Sequence, residues 1–232
     1  MKKMKIMIIS TIIIGRSFSQ QPKASNWVTL QMPVIYNNHW QSLHEISYRT
    51  LGEAIKLNQL FVRGGIRYSF NPKWNTSLIC DLVHSRVKPY DKTDLEFGNE
   101  IRVTEELSHK YPVSKTFTLQ HRLRVEERFF GETSLGNDYK ALRLRYRLAA
   151  QKRLSSRWNL QLANEYLEQY IANHWMYNSN RVSFSGYYLF AQNAHLELTY
   201  YWIRFATQSQ HVFSVSLQNR ILVKSKKKVN GS

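Results

Sequence analysis

TFTLQHRLRVEERFFGETSLGNDYKALRLRYRLAAQKR, residues 116–153, decides the fold. With a period of two, its first half puts Phe117, Leu119, Leu123 and Val125 on one face. Thr118, Gln120, Arg122, Arg124, Glu126 and Arg128 fall on the other. The second half repeats the pattern, Leu142, Leu144, Tyr146, Leu148 and Ala150 against Arg143, Arg145, Arg147 and Gln151. Between them GETSLGND (131–138) is polar and carries two glycines, so the chain reverses there. The stretch reads as a long β-hairpin with an aliphatic face and an arginine face.

The same pattern extends over most of the chain. Strand-like runs fall near 40–50, 57–70, 74–88, 95–106, 116–128, 139–153, 157–170, 180–190, 194–205 and 211–223, about ten runs of roughly a dozen residues each. Strands of that length cross a bilayer at a tilt. No helical period competes with them. Residues 27–36, WVTLQMPVIY, are interrupted by Pro33, which predicts an edge strand or an irregular lead-in.

Composition agrees with a β chain. The 232 residues include 14 Tyr, 11 Phe and 6 Trp, residue types that favour strands and interfaces between apolar and polar media. A mean hydropathy of -0.47 excludes a helical membrane protein but suits a membrane β-barrel, in which only alternate residues meet lipid. The single cysteine, Cys80, forms no internal disulfide and reads as a small buried or lipid-facing side chain.

Residues 1–19 have a basic start, an apolar run from Ile6 to Gly15 and small residues at Ser17 and Ser19, the pattern of a secretory signal peptide cut after Ser19. The expected organisation is therefore a signal peptide over 1–19, a barrel over 20–223 and a basic tail over 224–232. The net charge of +17 divides among the leader, Lys224, Lys226, Lys227 and Lys228 of the tail, and arginines inside strands. No nucleic-acid-binding module accompanies it, so no nucleic-acid partner is expected.

Connections alternate in kind. Those at 37–39, 71–73, 155–157 and 191–193 are tight and use Asn, Pro and Ser, whereas those at 52–56, 89–94, 131–138 and 171–179 are longer. The 106–115 link is the exception, long where a tight turn is due. Trp40, Trp74, Phe117 and Trp158 each open a strand after successive tight turns and predict an aromatic girdle at the periplasmic membrane interface. The fold class is thus all-β: an antiparallel up-and-down transmembrane β-barrel of about ten strands, ten to twelve, with short periplasmic turns and longer extracellular loops.

Alternation does not say which face is inside. A soluble lipocalin-like periplasmic barrel would bury the aliphatic face. The wide aromatics in nearly every strand would overfill a small closed interior, which favours lipid outside. The polar face then lines a lumen carrying Arg63, Arg67, Arg102, Arg122, Arg124, Arg128, Arg143, Arg145, Arg147 and Arg181. Glu96, Glu100, Glu126, Glu165 and Glu197 are the expected partners. Arginine exceeds acid, so this lumen is either an ionic plug or a binding site or path for small anionic solutes.

LFVRGGIRYSFN (60–71), HRLRVEERFF (121–130), LRLRYRL (142–148), NEYL (164–167) and NR (180–181) resemble an uncharacterised Gram-negative outer-membrane β-barrel family, domain of unknown function 2490. The resemblance spans most of the expected barrel. It implies a cell outer-membrane location and no activity. One departure is the end of the last strand, SLQNRILV (216–223), which lacks the terminal aromatic usual in outer-membrane barrels.

Lipid-modifying and proteolytic barrel enzymes need a nucleophile beside a base. The eight histidines are scattered, no GxSxG occurs, and no His or Cys spacing suggests a metal. No catalytic residue, metal or cofactor is expected. His84 with Ser85, and His174, are the places to inspect. The expected partners are outer-membrane lipids and small anions, around a monomer.

Overall fold

The computed structural model describes residues 23–50, 56–87 and 96–223. The expected signal peptide and the basic tail lie outside the described residues. The described chain is all strand: β1 (Lys23–Gln31), β2 (Val34–Ile35), β3 (Trp40–Thr50), β4 (Leu57–Ser69), β5 (Trp74–Arg86), β6 (Phe97–Pro112), β7 (Phe117–Phe130), β8 (Tyr139–Arg153), β9 (Trp158–Ile171), β10 (His174–Ala191), β11 (Ala194–Arg204), β12 (Ser209–Asn219) and β13 (Ile221–Leu222). From β3 to β12 each strand pairs antiparallel with the next.

Closure comes from the segment expected to be an edge strand or an irregular lead-in. β1 lies between β3 and β12, antiparallel to the first and parallel to the second, with Trp27 opposite Arg49 on one side and Ser214 on the other. Eleven strands therefore close the barrel, within the expected ten to twelve. An odd number of alternating strands leaves the first and last pointing the same way, which is why this seam is parallel. Pro33 donates no ladder hydrogen bond, so β1 ends at Gln31. β2 and β13 carry the same pairing on for two residues beyond the break.

Two connections differ from the sequence reading. β6 runs on to Pro112, so the 106–115 link shrinks to a four-residue turn, 113–116, like those at 36–39, 70–73 and 154–157. All four turns are closed by an Asn or Ser side chain accepting from the backbone, as Asn71 Oδ1 does from Trp74 N at 3.0 Å. The expected 171–179 loop is instead a two-residue turn. Ala172 and Asn173 adopt φ of 51° and 66°, and β10 starts at His174. Two adjacent left-handed residues make the tight hairpin whose twist matches antiparallel strands. The NHWMYNSN run conceals a strand because both of its faces carry polar side chains and no apolar alternation marks it. Longer connections remain on that rim at 51–56, 87–96 and 131–138.

The outward face is apolar. Val28, Ile66, Leu78, Leu82, Ile101, Leu123, Leu162, Phe184, Leu198 and Phe213 are all exposed, Leu82 to 55%. The inward face buries charge: Asp81 and Glu126 are fully buried, Arg102, Arg124, Arg143 and Arg145 nearly so. This is the reverse of a lipocalin-like barrel, and that alternative is set aside by the direction in which the arginines point.

Candidate functional site

The lumen has two unlike walls. On one, β4 to β9 alternate charge with small or apolar residues, and register decides the pairing. Asp81 sits opposite Arg63 on β4 and Arg102 on β6, and receives Arg63 Nε at 2.8 Å and Nη2 at 3.2 Å. Glu100 takes both Arg102, at 2.9 Å, and Arg128, at 2.7 and 3.0 Å. Glu106 takes Arg124 at 2.6 Å and Arg67 at 3.1 Å. Glu126 receives Arg143 Nε at 2.6 Å and Arg145 Nη1 at 2.6 Å, while Arg145 Nη2 reaches Glu165 at 2.7 Å. Each buried carboxylate in this wall thus serves at least two guanidinium groups, which satisfies its lone pairs and offsets its desolvation.

The network leaves arginine in surplus. Arg122, Arg147, Glu165 and Arg181 lie in one row across β7 to β10, three cations to one carboxylate. Glu165 accepts Arg122 Nη2 at 2.8 Å as well as Arg145, and Arg181 stays 4.0 Å away. Arg147 turns to Gln161 Oε1 at 2.5 Å. Arg49, on β3, donates to Gln59 Oε1 at 2.8 Å and packs 4.4 Å from the centre of the Trp27 ring. Among the described residues neither Arg49 nor Arg147 has a carboxylate within 4.0 Å. The buried Nε groups of Arg122, Arg145 and Arg181 have no hydrogen-bond acceptor either.

Opposite stands a wall richer in hydroxyls and amides, from β10 to β12, β1 and β3, whose charges are Arg181, Glu197, Glu45 and Arg49. Ser185 and Thr199 share a hydrogen bond of 2.8 Å, Thr29 and Ser47 one of 2.9 Å, and Ser214 and Ser216 lie alongside. Among the described residues, two chambers run between the walls. An inner one of about 400 Å³ is lined by Arg49, Arg147, Arg181, Tyr187, Glu197 and Tyr201 among others. An outer one of about 500 Å³, toward the rim of the four-residue turns, is lined by Arg67, Lys110, Gln218 and Arg220. Gln31, Glu45, Arg63, Arg122 and Arg124 line both and form the neck.

Most of the lumen residues expected from sequence meet here: Arg63, Arg67, Glu100, Arg102, Arg122, Arg124, Glu126, Arg128, Arg143, Arg145, Arg147, Glu165, Arg181 and Glu197. Glu197 is the outlier among the acids, held by Thr199 Oγ1 at 2.9 Å with no arginine within 4.0 Å among the described residues. Glu96 does not belong. It precedes β6 and accepts the amide of Ser134 at 2.5 Å, and its hydroxyl, tying two loops together outside the lumen. Sequence reading missed Glu45, Arg49, Asp81, Glu106, Lys110 and Arg220. Glu106 was findable, since it shares the parity of Glu100 and Arg102 on one strand, and Asp81 since it alternates with the outward Cys80 and Leu82.

Trp40, Trp74, Phe117 and Trp158 are the first residues of β3, β5, β7 and β9, at one rim, and the three tryptophans pack on Tyr68, His109 and Tyr188 at 4.8, 4.1 and 4.7 Å. His84 and Ser85 face opposite sides of the wall: His84 Nδ1 pairs with Asn99 on the outside at 2.7 Å, and Ser85 accepts from Gln59 inside. They form no dyad. His174 Nδ1 contacts the carbonyl of Ala172 at 3.0 Å. Ser42 and His44 are 2.8 Å apart on the outer face, where Tyr36 covers Ser42 and pairs with it at 3.1 Å.

The family model described as "Protein of unknown function (DUF2490)" matches residues 24–214. No curated protein matches the chain. Among solved structures, one titled "NanC porin structure in rhombohedral crystal form" is similar, with a TM-score of 0.49 and 10% identity over 78% of this chain and 86% of that one.

Proposed function

The chain belongs to the DUF2490 family, and on that premise we propose that it is an outer-membrane β-barrel whose lumen binds small anionic solutes and gives them a narrow path. The observation that carries this reading is the pair Arg49 and Arg147, two lumen guanidinium groups without a carboxylate beside a chamber of about 400 Å³. A plug built only for stability would match its charges, because a cation drawn partly out of water without a counter-charge is desolvated with no Coulombic return. Here one wall is matched and the chamber beside it is not. The hydroxyls across the chamber add neutral donors, so an anion entering it finds hydrogen bonds on both sides.

The membrane part of the proposal is supported by the apolar outer surface, the girdle of tryptophans at one rim and the closed sheet, which leaves no barrel strand without a neighbour on either side. The protein is expected in the outer-membrane fraction, with faster gel migration before heating than after. In planar bilayers under a potassium chloride gradient, its reversal potential should have the sign of anion selectivity, reduced in Arg49→Gln/Arg147→Gln. Recovery as a soluble periplasmic protein sinks the membrane reading, and cation selectivity sinks the anion reading.

A further inference from the structure

We propose that the short-turn mouth of the barrel is a capture site for small polyvalent anions of the phosphate class, built from Lys110, Arg220 and Arg67 and filled ahead of the inner chamber. It rests on the reading of the lumen as an anion path and adds to it an entrance and an order of occupancy.

Lys110 lies near the end of β6 and Arg220 in the break between β12 and β13, and both line the outer chamber. Their backbones are fixed, Lys110 N donating to Lys73 O and Arg220 N to Asn193 O, each at 2.8 Å. Their side chains make no hydrogen bond or ion pair among the described residues. Arg67, 29% exposed, is steadied by Ser77 and Glu106 and closes the chamber from β4. A positioned stem with a free charged head is poised to meet a ligand. Three cations converging on about 500 Å³ suit a multiply charged anion better than chloride, because each added charge gains a further partner.

A second observation points the same way. Lys73, Lys115, Lys152, Arg153 and Arg157 surround this mouth, and residues 36–41, 68–76, 108–120, 150–160, 189–196 and 216–223 contain no Asp or Glu. Among the described residues, the connections of the opposite rim carry Glu96, Glu132 and Asp138 against one lysine, Lys56. The field therefore draws anions to the short-turn side. Past the mouth lies the neck, where Arg63, Arg122 and Arg124 link the outer chamber to Arg49 and Arg147. Successive sites of this kind let an ion enter and still leave.

The test is titration calorimetry of the purified full chain in detergent with inorganic pyrophosphate at about 0.1 M salt, where the screening length is still about 10 Å. Lys110→Gln/Arg220→Gln is expected to weaken binding tenfold or more, and Arg49→Gln/Arg147→Gln to weaken it less. Heat-modifiable migration confirms that each variant is folded. Loss in the second variant with none in the first overturns the capture site and leaves the lumen reading standing. Loss in the first with none in the second supports the mouth and removes the inner site. No binding by the native chain overturns both.

Discussion

Arg147 and Glu165 stand directly opposite one another on β8 and β9, yet they are not an ion pair. Glu165 is occupied by Arg145 at 2.7 Å and Arg122 at 2.8 Å, and Arg147 bonds Gln161 instead. The oxygens of Glu165 are turned to Arg145 and Arg122, and the directly opposed cross-strand arginine is held by an amide instead. Arg147→Gln should therefore cost less than about 1 kcal/mol of stability, since no carboxylate is orphaned. Arg145→Gln strips Glu126 and Glu165 of a partner each and should cost about 3–5 kcal/mol. Denaturant unfolding of the two variants in detergent compares them directly, and equal losses contradict the assignment.

Asp81 and Arg63 give a double-mutant cycle. Asp81 is fully buried and takes two hydrogen bonds from Arg63. Asp81→Asn alone should cost about 3–5 kcal/mol. Adding Arg63→Gln should recover part of it, giving a coupling of about 0.5–3 kcal/mol. Strict additivity would falsify the pairing.

Leu82 is 55% exposed on β5, and Val83 beside it is buried. If the outer face meets lipid, Leu82→Arg should cost about 2–4 kcal/mol in folding into vesicles. In a water-exposed wall the same substitution would cost almost nothing, so the measured difference reports the solvent.

Ala172 holds φ of 51° between β9 and β10. A residue with a Cβ is strained there by about 1–2 kcal/mol, and glycine is not. Ala172→Gly should raise the unfolding midpoint and Ala172→Val lower it; an unchanged midpoint in both would mean that the turn is not formed as described.

Gly65 sits opposite Ile79, where a Cβ would lie 2.7 Å from the carbonyl oxygen of Leu78. Gly65→Ala should cost about 1–3 kcal/mol through displacement of β5. Gly64, whose Cβ would meet nothing within 4 Å, is the control and should tolerate alanine.

How far the sequence speaks depends on the range of the interaction. The 116–153 hairpin was legible because its alternation is local: Leu142, Leu144 and Leu148 could only share a face, and Arg143, Arg145 and Arg147 the other. The strand at 174–179 was not legible, because His174, Asn178 and Ser179 are polar on both faces and its tight turn is bought with left-handed Ala172, which no propensity predicts. β1 was hidden for another reason. Pro33 marks a break correctly, but whether the segment before it is a lead-in or the closing strand depends on β3 and β12, distant in sequence.

The sequence by itself determined the strands, their amphipathic faces, the excess of arginine and the line of Trp40, Trp74, Phe117 and Trp158, since each follows from residue spacing along one strand or one hairpin. Only the tertiary structure decided that eleven strands close with a parallel seam, that the arginines point inward, and which of them keep a carboxylate. Those outcomes depend on register between strands and on which arginines reach the same carboxylate from neighbouring strands, and no stretch of chain contains them all.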